Sequence, residues 1–138
     1  MGLDIGTKRI GIAVSDELGW TAQGVKTLHR RNGESDLREI RNLVGHYRVE
    51  KIVVGLPRNM DGSIGPQAQM TLGFIQELRG VLDVPIVTWD ERLSTVEATK
   101  MFIRADVSRK KRKRKLDMTA AILILQSYLD SLARREQS

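Results

Sequence analysis

Apolar residues alternate with small ones through Ile10, Gly11, Ile12, Ala13 and Val14, a period of two that predicts a strand. Before it, Met1 to Ile5 reads as a short strand stub. After a turn around Glu17 to Trp20, the more polar segment Gln23 to Leu28 predicts a strand suited to a sheet edge. Together the three form an antiparallel meander. Helical spacing then takes over: Leu37, Ile40, Val44 and Tyr47 follow Ser35, the expected N-cap, with Asp36 in the first turn. Ile52, Val53 and Val54 predict a buried strand ended by Gly55 and Pro57, and Pro66 stands where a helix should begin. Ala68, Leu72, Ile75, Arg79 and Leu82 mark the expected face of that helix, and Val84 to Trp89 reads as another buried strand. Ser94 or Thr95 is expected to cap a helix carrying Val96, Met101, Phe102 and Ile103. Met118, Ile122, Leu125, Leu129 and Leu132 define a long final helix.

The predicted order, three strands and then helices alternating with strands, is that of an α/β domain. A meander followed by right-handed crossovers puts the first strand at the centre of a mixed sheet. At 138 residues the chain is read as one domain, 1–138, able to bury about two thirds of the surface its unfolded form would expose.

Three acids acquire meaning on this frame. Asp4 lies on the central strand, Glu91 directly follows the last strand, and Asp117 is expected to open the last helix on the stripe of Ala121, Ile124 and Tyr128. A carboxylate buried without a partner costs several kcal/mol or more, so a cation or metal is implied at Asp4. Each acid has an ordinary alternative. Asp4 can bond to the turn at Gly6 and Thr7, Glu91 can pair with Arg92 at the surface, and Asp117 can answer the helix dipole. Three acids at element ends that can converge favour a shared role. Carboxylates gathered without histidine or cysteine suit a hard cation, Mg²⁺ or Mn²⁺. Two such ions about 3.5 to 4 Å apart can activate water and stabilise a leaving oxygen in phosphoryl displacement.

Composition removes several other chemistries. With no cysteine there is no disulfide, thiolate site or thiol nucleophile. No secretory h-region follows Met1, and the apolar run Ala120 to Leu125 is far short of the roughly 20 residues that span a bilayer, so a cytoplasmic protein without membrane contact is expected. His29 and His46 have no counterpart near them in the pattern and are read as structural.

The charge is concentrated. Arg109, Lys110, Lys111, Arg112, Lys113, Arg114 and Lys115 are consecutive, and setting these seven aside from 23 basic residues leaves 16 against 17 acidic ones. Such a block is expected to repel itself, to resist regular structure in the free protein, and to contact phosphate backbones. Beside acidic metal ligands it points to phosphodiester hydrolysis; its plain alternatives are a solvated loop and a nuclear-import signal.

Separated motifs then carry a resemblance that runs over nearly the whole chain. They are Gly2-Leu3-Asp4-Ile5-Gly6-Thr7-Lys8-Arg9-Ile10-Gly11, Val54-Gly55-Leu56-Pro57 with Asn59-Met60-Asp61-Gly62, Trp89-Asp90-Glu91-Arg92-Leu93-Ser94-Thr95, and Asp117, Ala120-Ala121 and Ile124 to Leu129. In these the chain resembles the YqgF family of the RNase H-like superfamily, whose members are described both as Holliday-junction resolvases and as nucleases maturing the 5′ end of pre-16S rRNA. The resemblance implies an RNase H-like fold, a five-stranded mixed sheet in the order 3-2-1-4-5 flanked by helices. It implies Asp4, Glu91 and Asp117 as metal-binding catalytic acids, and Lys8, Arg9 and Arg92 as phosphate contacts. The loop from Asn59 to Gly65 would border the active site. Only Met1, Gly2 and Leu3 precede Asp4, fewer residues than in family members, so further residues of the central strand are expected ahead of them.

The expected partner is nucleic acid, RNA before branched DNA, a preference that comes from the family and not from residue chemistry. Junction resolution would call for a two-fold dimer, RNA processing for a single site, and the chain is expected as a monomer or homodimer. The aromatic residues are few and have mostly apolar neighbours, so recognition is expected to rest on backbone charge and shape. Two rivals differ in class. Asp-x-Gly-x-x-x-x-Gly on a hairpin also serves actin-like and sugar-kinase ATPases, but those use two lobes and this chain supplies one. The other rival is a nucleic-acid-binding module without catalysis.

Overall fold

The computed structural model describes residues 1–93 and 109–137, with side chains described over 1–93 and 118–136. Five strands form one sheet: β1 (Gly2–Ile5), β2 (Arg9–Ser15), β3 (Ala22–His29), β4 (Ile52–Leu56) and β5 (Ile86–Asp90). Their order is β3-β2-β1-β4-β5, the expected one. β1 pairs antiparallel with β2 and parallel with β4, which pairs parallel with β5. The described helices are α1 (Gly33–His46), α2 (Pro66–Val81) and α3 (Arg109–Gln137), and a 3₁₀ turn, Glu91–Leu93, follows β5. The expected helix from Ser94 or Thr95 through Ile103 lies outside the described residues.

Strand alternation sorts side chains to two faces. Leu3, Ile5, Ile10, Ile12, Ile52 and Val54 pack on one face with Ile40 of α1 and Phe74, Ile75 and Leu78 of α2. On the other face Ala13 and Val53 meet Ala120, Ala121, Ile124 and Leu125 of α3. Small residues on that face let α3 lie close. A Cβ at Gly2 would fall 2.7 Å from Leu125 Cβ and 2.9 Å from the Ala121 carbonyl oxygen, and one at Gly24 would fall 2.6 Å from Met118 Cγ. In register these small positions make a row across three strands, Gly24 beside Ala13 beside Gly2.

Several expectations need correction. α1 starts earlier than Ser35: Asn32 is the N-cap, accepting a 2.9 Å hydrogen bond from the Ser35 amide. The earlier start turns Asp36 inward, where it accepts from the Arg31 amide at 3.1 Å and pairs with Arg30 at 3.5 Å. The buried face of α2 runs through Ala68, Thr71, Phe74, Ile75 and Leu78, with Leu72 and Arg79 outside it. Thr71 can be buried because its hydroxyl donates to the Gln67 carbonyl at 3.1 Å. The last helix does not open at Asp117. It begins at Arg109, so the basic block is helical and Asp117 lies within the helix. Lys and Arg are good helix formers, and the block continues a helix that is anchored on the sheet further along by Ala120, Ala121, Ile124 and Leu125. Trp20 is 72% exposed on the β2–β3 turn, against the expectation of buried aromatics, because Asp16 and Gln126 hold the turn by its backbone.

Candidate active site

Asp4 sits on β1 two residues beyond Gly2, hence on the face covered by α3. β1 and β4 are in parallel register at Leu3 and Val54, and one step further places Asp4 beside Gly55, about 4.8 Å away as strand neighbours are. Glu91 approaches the same spot from the other side. A Cβ on Gly55 would lie 2.7 Å from Glu91 Oε1 and 2.4 Å from Ile124 Cδ1. The glycine thus leaves a hollow on the α3 face into which the Glu91 carboxylate settles, with Asp4 on its far flank. Both acids are largely buried, at 8% and 5% exposure.

The end of β1 is held in place by its neighbours. Gly6 donates to the Arg9 carbonyl at 2.8 Å, in a turn so tight that a Cβ at Gly6 would meet that oxygen at 2.8 Å. Arg30 Nη1 donates to the Gly6 carbonyl at 2.9 Å, and Gln67 Nε2 to the Ile5 carbonyl at 3.2 Å. Arg30 also lies over the Phe74 ring, 4.9 Å from its centroid. Sequence reasoning missed Arg30 and Gln67, since their partners are backbone oxygens distant in the chain.

The other wall is the 3₁₀ turn and the loop after β4. Arg92 grips Asp90 through Nε at 3.1 Å to each carboxylate oxygen and Nη2 at 2.7 Å. Hydrogen bonds from this guanidinium hold the Asp90 carboxyl below the usual carboxylate range. Arg92 Nη1 donates to the Met60 carbonyl at 3.3 Å, and Arg58 Nη1 to the Gly62 carbonyl at 3.3 Å. Within the loop, Asn59 donates its amide to the Ser63 carbonyl at 3.0 Å and its side-chain nitrogen to Ser63 Oγ at 2.9 Å. Gly62, at φ 88°, makes the reversal. The side-chain hydrogen bond from Ser63 lowers the Asp61 carboxyl as well. Sequence reasoning singled out Arg92 and Asn59 but missed Arg58 and Asp90, although Asp90 and Arg92 flank Glu91 directly.

Among the expected site residues, Glu91 reaches Gly55 of β4 and Asp4 lies on the neighbouring strand beside that glycine, with the loop of Asn59 and the Arg92 turn next to Glu91. Lys8 lies exposed on the β1–β2 turn, and Arg9, half-buried, is the first residue of β2. The backbone of α3 places position 117 one turn before Ala121, while the side chains of Asp117 and of Arg109 to Lys115 lie outside the described residues. Among the described residues no cluster of three or more His, Cys, Asp or Glu side chains forms a metal site. The buried carboxylates of Asp4 and Glu91 nevertheless supply the all-oxygen donors that Mg²⁺ or Mn²⁺ take, and the side chain of the third expected donor, Asp117, lies outside the described residues. A cavity of about 550 Å³ opens elsewhere, at the opposite end of the sheet between Val14, Lys51 and Leu129, and takes no part in this constellation. Among the described residues no helix is long and apolar enough to cross a membrane.

The model of the RuvX family, described as Holliday junction resolvase, matches residues 1–131. A protein of Halothermothrix orenii is 56% identical over 130 residues, 94% of this chain and 93% of its own length. Relatives from Desulforamulus reducens and Bacillus subtilis are 53% and 50% identical over 134 residues, covering 97% and 96% of this chain and 98% and 97% of their own. All three carry the name "Putative pre-16S rRNA nuclease". Among solved structures, Thermus thermophilus RuvC in complex with a Holliday junction substrate aligns at a TM-score of 0.63 over 99% of this chain and 94% of its own, at 15% identity. That likeness establishes the RNase H-like fold.

Proposed function

This chain belongs to the RuvX Holliday junction resolvase family, and from that membership we propose that it is a nuclease hydrolysing phosphodiester bonds, with Asp4, Glu91 and Asp117 holding Mg²⁺ or Mn²⁺. The observation that carries this reading is the Glu91 carboxylate seated in the Gly55 hollow of β4, with Asp4 buried on the adjoining strand β1, where the register brings it beside Gly55. Divalent cations, when bound by such acids, supply the acidity that makes water a nucleophile and offset charge on the leaving oxygen. The chain's own residues do the rest. The packing of α3 keeps the carboxylates from bulk water, where their charges would be screened. Lys8 on the β1–β2 turn, Arg9 at the start of β2 and the Arg109 to Lys115 segment supply positive charge for the phosphate backbone.

The substrate we favour is the 5′ extension of pre-16S rRNA, processed in the cytoplasm by a single site. Support comes from relatives at 50–56% identity that share this name across nearly their whole length. Resolution of DNA junctions is the second reading, favoured by the family's description, and it calls for a two-fold dimer with paired sites.

The test is cleavage of a labelled RNA bearing the precursor 5′ extension and of a four-way DNA junction, by wild type and Asp4→Asn, with Mn²⁺, Mg²⁺ or EDTA. Metal-dependent cutting of the RNA alone, lost in Asp4→Asn, is the expected result. Cutting of the junction alone selects the second reading. Binding of either without cutting identifies a non-catalytic module.

A further inference from the structure

Glu91 is flanked in the chain by an ion pair. Asp90 Oδ1 accepts from the Arg92 backbone amide at 2.9 Å, and both oxygens accept from its guanidinium, so the pair closes around the residue between them. The same guanidinium reaches across to the loop after β4 through the Met60 carbonyl. Arg58 adds a second tie: Nε is 3.9 Å from Asp90 Oδ2, an ion pair longer than a hydrogen bond, while Nη1 holds the Gly62 carbonyl. Gly62 backs directly onto Arg92, since a Cβ there would lie 3.4 Å from Nη1. The loop is in turn closed on itself by Asn59, Asp61 and Ser63. Both the turn that carries Glu91 and the loop beside it are therefore fastened to a single carboxylate.

We propose that Asp90 and Arg92 are positioning residues for Glu91: Asp90, clamped by Arg92, sets the backbone from which the Glu91 carboxylate reaches the Gly55 hollow. The proposal rests on the reading above, in which Glu91 holds the cation. It gives Arg92 a role different from the phosphate contact that the motif implies. Three of its donor groups, Nε, Nη1 and Nη2, are already placed on Asp90 and on the Met60 carbonyl. Nη1 and Nη2 each keep a second N–H, and a phosphate that drew the guanidinium off Asp90 would release the turn on which Glu91 depends. Charge at position 92 then matters for the geometry of the carboxylate and little for substrate capture.

The experiment uses the full chain and Mn²⁺ as the probe. Mn²⁺ binding to wild type, Asp90→Asn, Arg92→Lys, Arg92→Gln and Asp4→Asn is followed by calorimetry without nucleic acid, and RNA binding is followed in EDTA across a salt series. Asp90→Asn and Arg92→Lys are expected to weaken Mn²⁺ binding by about tenfold or more, as loss of a residue orienting a metal ligand does. At saturating Mn²⁺, Arg92→Lys should recover most of its kcat, whereas Asp4→Asn should not. RNA affinity in EDTA should stay within about twofold of wild type for Arg92→Gln, with the same salt slope. If Arg92→Gln flattens that slope by about 0.7, the loss of one phosphate contact, or if Mn²⁺ affinity is unchanged in both Asp90→Asn and Arg92→Lys, the positioning role is overturned. Should Asp90→Asn fail to fold, Arg92→Lys, which alters a half-exposed side chain, decides the question. A wild type that binds no Mn²⁺ and cuts nothing overturns the underlying reading together with this one; a wild type that binds Mn²⁺ through Asp4 while the Asp90 and Arg92 variants match it overturns this inference alone.

Discussion

Glu91 Oε1 stands 2.7 Å from the point where Gly55 would carry a Cβ, so the absence of a side chain on β4 makes room for the carboxylate arriving from β5. The same missing atom admits Ile124 Cδ1 of α3, at 2.4 Å from that point. One glycine thus joins the packing of the helix to the placement of the acid.

Gly55→Ala should consequently damage function more than stability. Overpacking a filled site costs about 1–3 kcal/mol, and part of the strain here can be relieved by turning the Glu91 and Ile124 side chains aside. The urea midpoint should fall modestly, while cleavage drops toward the level of a Glu91→Gln variant.

Gly2→Ala and Gly24→Ala should differ. At Gly2 the new methyl meets the Ala121 carbonyl oxygen at 2.9 Å, and backbone cannot step aside without moving α3. At Gly24 it meets Met118, whose thioether chain can swing away. Denaturation should show about 1–3 kcal/mol lost for Gly2→Ala and under about 1 kcal/mol for Gly24→Ala.

Acid should loosen the Asp90 bracket. The Arg92 side chain, through its hydrogen bonds to Asp90, lowers that carboxyl in the folded state from an unfolded value of about 3.9. A depressed folded pKa contributes stability that is present above about pH 4 and lost as pH falls through the folded value. Asp90→Asn should therefore be less stable than wild type at pH 7, with the gap closing on titration below about pH 4. Thermal midpoints across that range provide the check.

Neutralising Lys110, Lys111, Arg112 and Lys113 together as Gln keeps residues of good helix propensity and removes four charges. Binding to RNA of any sequence should weaken, and the slope of log affinity against log salt should flatten by up to about three units. An unchanged slope removes this segment from the substrate path.

Much of this architecture was written locally. Alternation in β2, the apolar run of β4 and Pro66 at the start of α2 each report a neighbourhood of a few residues, and their order restricts the sheet to few topologies. Helix ends and faces were less legible. Asn32 and Ser35 are near-equal caps by type, and the choice fell to Asp36, whose partner Arg30 comes from the end of β3. Thr71 reads as polar in the chain and is buried because a backbone oxygen one turn back takes its hydroxyl.

The sequence by itself determined that Asp4 and Glu91 stand at strand ends, since periodicity and punctuation mark where elements stop. That Glu91 is seated in the Gly55 hollow with Asp4 on the adjoining strand was decided by tertiary structure, because it depends on β4 lying between their strands and on Gly55 having no side chain there. The Arg58–Asp90–Arg92 bracket was decided in the same way. A charged residue's type fixes what it can bind, whereas its partner is fixed only when the sheet brings two distant segments within hydrogen-bond reach.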